Sequence, residues 1–376
     1  MKESDVLIVG AGPGGCAAAI TLARAGASVI ILDHSHPRDK FCAGGIPVEA
    51  WSDMAGLDLG GVESWGINHA QISAPAGHVL EVHSARDAGF VVSRRDFDGL
   101  LLERAKAAGA VHIAEKALDL FRENGRFVVK TAGTEYEAET LIGADGVRSM
   151  VRDRLVGRIP LRHRGICVGC SVPASASSHT IRMEFSGGRG SLGYFWIFPR
   201  GDWLNIGVGE YYNDDVPSAR TFLASKAEEH AIDLKGVRLL GAQIPMAKDP
   251  SFFDIPIAGA GWALIGDAAG HVHPWTGEGI GNAARGGILA AEAILGGRVT
   301  DFQEMWQASF GAGLRKSARF FKYLNALTIN KALWALSGTE VGSDIGWMLL
   351  NGRGDEAVSL KSLRLLPRWI MQRARV

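Results

Sequence analysis

The sequence is short of cysteine, of charge bias and of long apolar runs, and each shortage excludes something. Four cysteines in 376 residues are too few for a disulfide framework. Two of them form a CxxC, Cys167 and Cys170, inside the strand-like stretch Gly165–Val172. Side chains three apart on a strand point to opposite faces about 10 Å apart, so this pair can neither bridge nor share a metal. Lys plus Arg and Asp plus Glu are 40 each, which leaves no global field to attract nucleic acid. The absence of any run of 18 apolar residues argues against a transmembrane helix. The N-terminus lacks the basic start of a signal peptide, and its apolar stretch runs straight into a glycine-rich loop, so a cytoplasmic protein is expected. His271 and His273, two positions apart, lack metal-like spacing and read as polar loop histidines. No metal site is expected. There is no internal repeat and no low-complexity tract.

Glycine, by contrast, is abundant at 49 residues, which suits a chain that must bring backbone close to a ligand. The most informative stretch runs from Asp5 to Asp33. An apolar strand, Val6–Val9, meets Gly10-Ala11-Gly12-Pro13-Gly14-Gly15; a small-residue helix follows, then a second strand, Val29–Leu32, ending in Asp33. This is a βαβ unit with G-x-G-x-x-G and an acid about 20 residues on, the pattern of a dinucleotide site. Gly10 permits the tight turn, Gly12 admits a diphosphate, and Gly15 lets the helix pack on its strand. The free N–H groups of the helix face the diphosphate, and Asp33 can accept from a ribose hydroxyl.

Further along, a polar loop leads to a short helix near Val48–Met54, and Ile67–Val82 reads as a hairpin around Pro75-Ala76-Gly77. Phe97, Leu100, Leu101 and Ala105 place an amphipathic helix over Asp96–Ala108. Val111–Ile113, Phe127–Thr131 and Thr140–Ala144 read as strands, the last feeding Asp145-Gly146. From Gly165 to Glu210 four short strands separated by turn-rich stretches predict an antiparallel sheet inserted into an α/β frame. A helix over Phe222–His230, a strand over Gly261–Ile265, and a long small-residue helix through Ile294 follow. From Phe302 the chain reads helical.

Three later segments answer the glycine loop. Arg94 opens an R-x-x-F-D pattern, LIGADG ends a strand in Asp145-Gly146, and ALIGDAAGHVHPWTGEGIGNAA ends a strand in Gly266-Asp267 and starts a helix near Gly279. Together these resemble the fingerprints of FAD-binding, glutathione-reductase-like flavoproteins of the hydroxylase type. The resemblance implies Asp267 on the ribityl chain and Gly277, Gly279 and Ile280 at the flavin pyrimidine, where a helix N-terminus would favour negative charge on reduced flavin. Lys40-Phe41-Cys42-Ala43-Gly44-Gly45 is similar to the K-x-C-G-G-G segment of the geranylgeranyl reductase family, and Tyr194-Phe195-Trp196-Ile197-Phe198-Pro199 to its Y-x-W-x-F-P motif. The likeness covers residues 1 to about 300. It departs at Ala43, where glycine is usual, and at His273 and Trp275, which point to a reshaped flavin pocket.

The resemblance implies an FAD-dependent reductase that saturates double bonds of a prenyl chain, its electrons coming from NADPH or a ferredoxin, because no second nucleotide fold is evident. It sets Cys42, Tyr194 and Trp196 as catalytic candidates, with Lys40, Cys42, Gly44 and Gly45 beside the cofactor. Tyr194, Trp196 and Phe198 alternate on one strand and so share a face, which together with Trp275 would form an apolar wall for an isoprenoid. Reducing an isolated C=C requires a hydride at one carbon and a proton at the other; Cys42, a water or His273 are the relay candidates. The expected architecture is a Rossmann-like α/β FAD domain (1–65, 93–160 and 258–300), with an antiparallel substrate domain (66–92 and 161–257) and a helical C-terminal region (301–376), as a monomer. Two rivals share the fold: a flavin monooxygenase or halogenase, which would want Trp where Tyr194 stands, and an electron-transfer flavoprotein to quinone, which would want an iron–sulfur segment. The tail Lys361–Val376 is basic and rich in Leu and Trp, a composition that suits either a helix on the inner face of an anionic membrane or a terminal helix packed on the body.

Overall fold

A computed structural model describes residues 2–174, 178–186, 193–211, 219–323 and 325–350. The tail Lys361–Val376 lies outside the described residues, as does the start of the Gly193 strand's approach. At the centre is a parallel sheet in the order Trp262–Leu264, Glu135–Gly143, Lys2–Val9, Val29–Leu32, Val111–Ile113. Val29–Leu32 and the last residues of Lys2–Val9 and Glu135–Gly143 are apolar and buried, as a parallel sheet covered on both faces requires. The outer edge of Glu135–Gly143 is shared. Its first half pairs antiparallel with Arg126–Lys130, and its last three residues pair in parallel with Trp262–Leu264.

The helix Pro13–Arg24 packs against Ile280–Leu295, and small residues let the two approach. A Cβ on Gly287 would stand 2.2 Å from the Gly14 carbonyl oxygen, and one on Gly14 would stand 2.8 Å from that of Ala283. No larger residue fits either position. Consequently two helices that start at opposite ends of the chain bring their N-termini to the same place. The helix Arg94–Ala107 lies on the same layer and buries Phe97, Leu101 and Ala105.

A seven-stranded sheet carries Leu240–Pro245, Arg164–Pro173, Trp203–Tyr211, Gly193–Arg200, Thr180–Phe185, His69–Ser73 and Val79–His83 in that order. All neighbours are antiparallel except Thr180–Phe185 and His69–Ser73, which run parallel and so attach the early hairpin to the later sheet. One face of this sheet buries Cys170, Val172, Phe195, Ile197, Ile206 and Val208 under the helix Ala219–Glu229. The other face is left for the site. A small sheet of Gly45–Pro47, Gly89–Val92 and Ser64–Ile67 joins the two large ones.

The described part of the C-terminal region, through Leu350, is helical, as expected. Phe302–Trp306, a π-helical turn Gln307–Gly311 and Ala312–Phe320 lie against the parallel-sheet body. Ala326–Leu336, opened by a capping box between Asn325 and Thr328, and Glu340–Leu350 cross to the hairpin. There Ile329, Leu333 and Leu336 pack on Ile72, Leu80 and Val82. No helix among the described residues is long and apolar enough to cross a membrane. The sequence reading missed the strand Asp119–Glu123, which pairs with Arg126–Lys130, as well as the strand Leu240–Pro245. Asn124 and Gly125 both have positive φ, 49° and 84°, the two-residue turn that Asn-Gly favours.

Candidate active site

The N-termini of Pro13–Arg24 and Ile280–Leu295 open onto a cavity of about 640 Å³. Its first part is built for a dinucleotide. Gly12, the N-cap of the first helix, makes no side-chain cap, so the first-turn N–H groups point into the cavity. The turn before it is closed by glycine alone: Gly10 has φ +105°, and a Cβ on Gly15 would meet the Gly10 carbonyl oxygen at 1.9 Å. Asp33 Oδ2 accepts from the Ala11 N–H at 2.7 Å, and Oδ1 accepts from the Ser35 N–H and hydroxyl. Burial works to raise this carboxyl's pKa, but those hydrogen bonds and the Arg38 charge outweigh it and hold it below the usual range.

Arg38, Lys40 and Arg94 line the same space. Lys40 Nζ donates to Asp267 Oδ2 at 2.5 Å, and although burial pushes the Asp267 carboxyl up, Lys40, then Arg38 and Arg94, bring it below its ordinary value. Arg94 is buried and forms a fork with Asp98, Nε to Oδ1 at 2.8 Å and Nη2 to Oδ2 at 2.7 Å. Burial disfavours the guanidinium, yet Asp98 more than compensates and keeps it charged. Three cations around an uncapped helix start suit a diphosphate. The R-x-x-F-D pattern thus has a physical meaning, because its last acid, Asp98, holds its first arginine. Arg38 was not singled out in the sequence; the only signal was a basic residue in the loop after Asp33.

Beyond Asp267 the cavity meets the aromatic wall. Tyr194, Trp196 and Phe198 share one face of their strand and all line the cavity, with Cys42 and Trp275. Each ring has a fixed seat. The Tyr194 hydroxyl donates to the Thr276 carbonyl at 2.6 Å. The Trp196 Nε1–H donates to Asn205 Oδ1 at 2.9 Å, and its indole stacks on Phe41 with centroids 5.8 Å apart. Phe198 lies over Gly45, where a Cβ would come within 2.7 Å of its ring. The neighbouring strand makes room with Gly207, opposite Trp196, and Gly209, opposite Tyr194. Trp275 is anchored by its Nε1–H to the Ser317 carbonyl at 3.0 Å.

The cavity continues into an apolar arm that the sequence did not reveal. Ile72, Leu80, Ile181, Met183, Phe185, Ile329, Leu333, Leu336, Ile345 and Trp347 wall it, supplied by the hairpin, the antiparallel sheet and the two C-terminal helices. None of these is charged.

Several sequence candidates sit differently from expectation. His273 is not a polar loop residue: it is buried, its Nδ1 faces the Thr276 N–H at 3.3 Å, and its Nε2 meets Ser317 Oγ at 3.1 Å. Burial drops its pKa to about 4, so it is a neutral structural knot and does not line the cavity. His271 is fully buried against Trp306, ring centroids 5.5 Å apart, with no hydrogen bond to either nitrogen among the described residues, and burial takes it to about 3. Asp145 turns its carboxylate to the helix that follows, accepting from the Ser149 hydroxyl at 2.5 Å and the Val151 N–H at 3.2 Å, while Ala144 and Gly146 line the cavity. Cys167 and Cys170 do point to opposite faces, Cys170 into the core and Cys167 into the cavity near Cys42. Burial, then the neighbouring Cys42, pushes the Cys167 thiol up to about 12. Glu278, missed in the sequence, lines the cavity beside Gly277 and Gly279 and accepts from the Gly281 N–H at 2.9 Å. Burial raises its carboxyl. Its signal was a single acid inside a run of glycines.

Backbone-lined cradle, converging helix starts and a cationic rim together define a dinucleotide-binding flavoprotein fold. Residues 3–166 match the family described as FAD binding domain. The chain is 34% identical to the geranylgeranyl diphosphate reductase of Rhodobacter capsulatus, over 77% of this chain and 75% of that one. It is 30% identical to digeranylgeranylglycerophospholipid reductase 2 of Methanopyrus kandleri, over 90% and 92%. Its fold is similar to that of a geranylgeranyl bacteriochlorophyll reductase-like protein of Thermoplasma acidophilum, with a TM-score of 0.76, 22% identity, and 97% and 100% of the two chains covered. The chain belongs to the geranylgeranyl reductase family of FAD-dependent oxidoreductases.

Proposed function

We propose that this protein saturates C=C bonds in the prenyl chain of a lipid-like substrate. The observation that carries the reading is the continuity of the cavity, from the glycine cradle and Asp267, past Tyr194, Trp196 and Phe198, into an arm walled by Ile72, Leu80, Leu333 and Trp347. A long isoprenoid fits such an arm because it offers apolar surface, each buried CH₂ contributing about 0.8 kcal/mol. FAD, when bound and reduced, would supply the hydride, and the residues that would hold it are Gly12–Gly15, Arg38, Lys40, Arg94, Asp267 and Gly277–Ile280. The chain's own residues supply orientation, dryness and a proton. The aromatic wall, with Tyr194 and Trp196 fixed by hydrogen bonds and Phe198 lying over Gly45, keeps one face of the reacting bond out of water. Cys42, in the loop between the cradle and the wall, provides the proton for the second carbon. Cys167, whose thiol stays protonated far above neutral pH, stands beside it as a reserve. His273 drops out as a relay, since its ring nitrogens are engaged with Ser317 and Thr276.

NADPH or a ferredoxin would reload the flavin, and anaerobic mixing with each distinguishes them by which bleaches the yellow colour. The basic, Leu- and Trp-rich tail supports a peripheral position on an anionic membrane, where the substrate resides. The class of reaction is tested by photoreducing the flavin without oxygen and adding a geranylgeranyl substrate, oxygen with halide, or quinone. Reoxidation with a saturated prenyl product supports the proposal. Reoxidation with product only by oxygen and halide, or only by quinone, would replace it with the corresponding rival.

A further inference from the structure

On the outer side of the hairpin, away from the cavity, three side chains converge that the reductase reading does not use. His69 and His83 are directly opposite in register on the antiparallel strands His69–Ser73 and Val79–His83, and their rings stack with centroids 3.9 Å apart. Glu81 is two residues before His83 and therefore on the same face. One nitrogen of each imidazole and a carboxylate oxygen of Glu81 all lie within 4.8 Å of one another. We propose that His69, Glu81 and His83 form a binding site for a divalent transition-metal ion of the zinc class.

Two imidazoles and one carboxylate are a borderline-soft donor set suited to Zn²⁺, with a fourth position left for water. At metal–ligand bonds of about 2.0–2.2 Å, tetrahedral ligands stand roughly 3.3–3.5 Å apart. Ligation requires the two stacked rings, 13° from parallel, to tilt toward a common point while the His69 Nε2 to Glu81 Oε2 contact of 2.6 Å opens. The outer shell is already in place. His69 Nδ1 lies 2.9 Å from Thr180 Oγ1, an oxygen able to accept from Nδ1–H when Nε2 ligates. Gln71 Nε2 donates to the other Glu81 oxygen at 3.0 Å, and Gln71 Oε1 in turn accepts from Arg182 Nε at 2.7 Å. Partners of this kind orient metal ligands and tune their affinity. A salt bridge alone would not require the second histidine, whose ring nitrogens bring a further donor to the same point. The ion would clamp two strands whose opposite face, through Ile72 and Leu80, walls the apolar arm. The strand is also tied to the C-terminal helices, where Trp347 Nε1–H donates to the His83 carbonyl at 2.8 Å. Sequence spacing does not reveal this group, because the three ligands are spread over residues 69 to 83 and meet only through strand register.

The test uses untagged, FAD-loaded, full-length protein stripped with chelator and titrated calorimetrically with Zn²⁺, alongside His83→Ala and Glu81→Gln. Both altered side chains are partly or well exposed, so folding is checked only by flavin content and circular dichroism. One equivalent should bind wild type, the dissociation constant should rise at least about 100-fold in His83→Ala, more than a lost outer-shell partner costs, and Zn²⁺ should raise the Tm of wild type but not of His83→Ala. Equal binding by wild type and both variants would place the ion elsewhere and overturn the assignment. No binding by wild type would overturn it as well.

Discussion

Asp98→Asn puts the electrostatics of the cradle to the test. Asp98 is 0% exposed and holds both forks of the buried Arg94, with Arg38 Nε a further 3.4 Å from Oδ2. Asparagine keeps the shape and one accepting oxygen, so one hydrogen bond to Arg94 survives. The charge does not. At an effective dielectric of about 20 and roughly 4 Å, the lost attraction is about 4 kcal/mol, and mutational experience with broken buried pairs gives about 3–5 kcal/mol. With the surviving bond the expected loss is about 3 kcal/mol. Urea unfolding of FAD-saturated protein, followed by tryptophan fluorescence, measures it as a lower midpoint at unchanged slope. The double variant Arg94→Met with Asp98→Leu removes both charges and should recover most of the loss, while binding FAD more weakly because a cavity cation is gone. Stability within about 1 kcal/mol of wild type in Asp98→Asn alone would refute the claim that Arg94 depends on this carboxylate.

Gly12→Val is expected to abolish FAD binding, because its side chain would occupy the space over which the diphosphate approaches the backbone and already crowds Arg38, 2.8 Å from the Cβ position; a purified variant with full flavin content would contradict this. Cys42→Ser should leave the flavin spectrum nearly unchanged and lower prenyl reduction at least about tenfold, or about 1.4 kcal/mol of transition-state stabilisation; equal turnover would make Cys42 a packing residue. His271 and His273 titrate at about 3 and about 4 in the folded chain against about 6.5 unfolded. The unfolded state therefore takes up protons first as pH falls below about 6.5, and stability declines by about 1.4 kcal/mol per pH unit for each histidine until their folded values are reached. Between about pH 6 and 4.5, the stability measured by urea unfolding should fall by about 1.4 kcal/mol per pH unit less in His271→Leu than in wild type, and an unchanged slope would exclude His271 as a source. Cutting the chain after Ser359 should sharply weaken salt-sensitive binding to anionic vesicles with FAD retained, each basic residue contributing about 1 kcal/mol near the headgroups; equal pelleting of cut and full-length protein would assign the tail to the body.

The cradle was legible because its chemistry is local. Gly10 to Asp33 lie within one βαβ unit, and the turn is closed within it, Gly15 being required by the Gly10 carbonyl. The Tyr194 wall was legible for a similar reason: alternation on one strand fixes a shared face whatever the strand packs on. Partners distant in sequence were not legible. Asp267 could be placed at the cofactor, but its hold on Lys40 arises only when the third segment of the parallel sheet comes beside the loop after the second strand. His273 illustrates the reverse error. A histidine in a Gly- and Pro-rich loop reads as solvated, and only the helix Ala312–Phe320, which brings Ser317 onto its ring, shows it to be buried. The strand Asp119–Glu123 was a plain oversight, since Asn124-Gly125 announces the turn before its partner.

The apolar arm escaped for a deeper reason. A sheet face that lines a cavity and one that lines a core are written in the same residues, so Ile181, Met183 and Phe185 alternate as they would above any helix. What separates the two faces of this sheet is glycine placement. The core face pairs Phe195 with Val208 and Ile197 with Ile206 across strands, whereas the cavity face pairs Tyr194 with Gly209 and Trp196 with Gly207. On the first face large meets large and fills space; on the second the Trp196 ring lies over the bare backbone of Gly207 and Gly209. The third strand continues the pattern with Gly169 opposite Gly207, where a Cβ would come within 2.5 Å of the Phe41 ring that stacks on Trp196. A row of glycines opposite a row of aromatics on one face only therefore flattens the wall and leaves room in front of it. The helices that complete the arm follow from that room: Ile329, Leu333 and Leu336, at helical spacing, cover the hairpin in a cluster that takes in Phe198 but neither Tyr194 nor Trp196, so the space before Tyr194 and Trp196 stays open to a substrate.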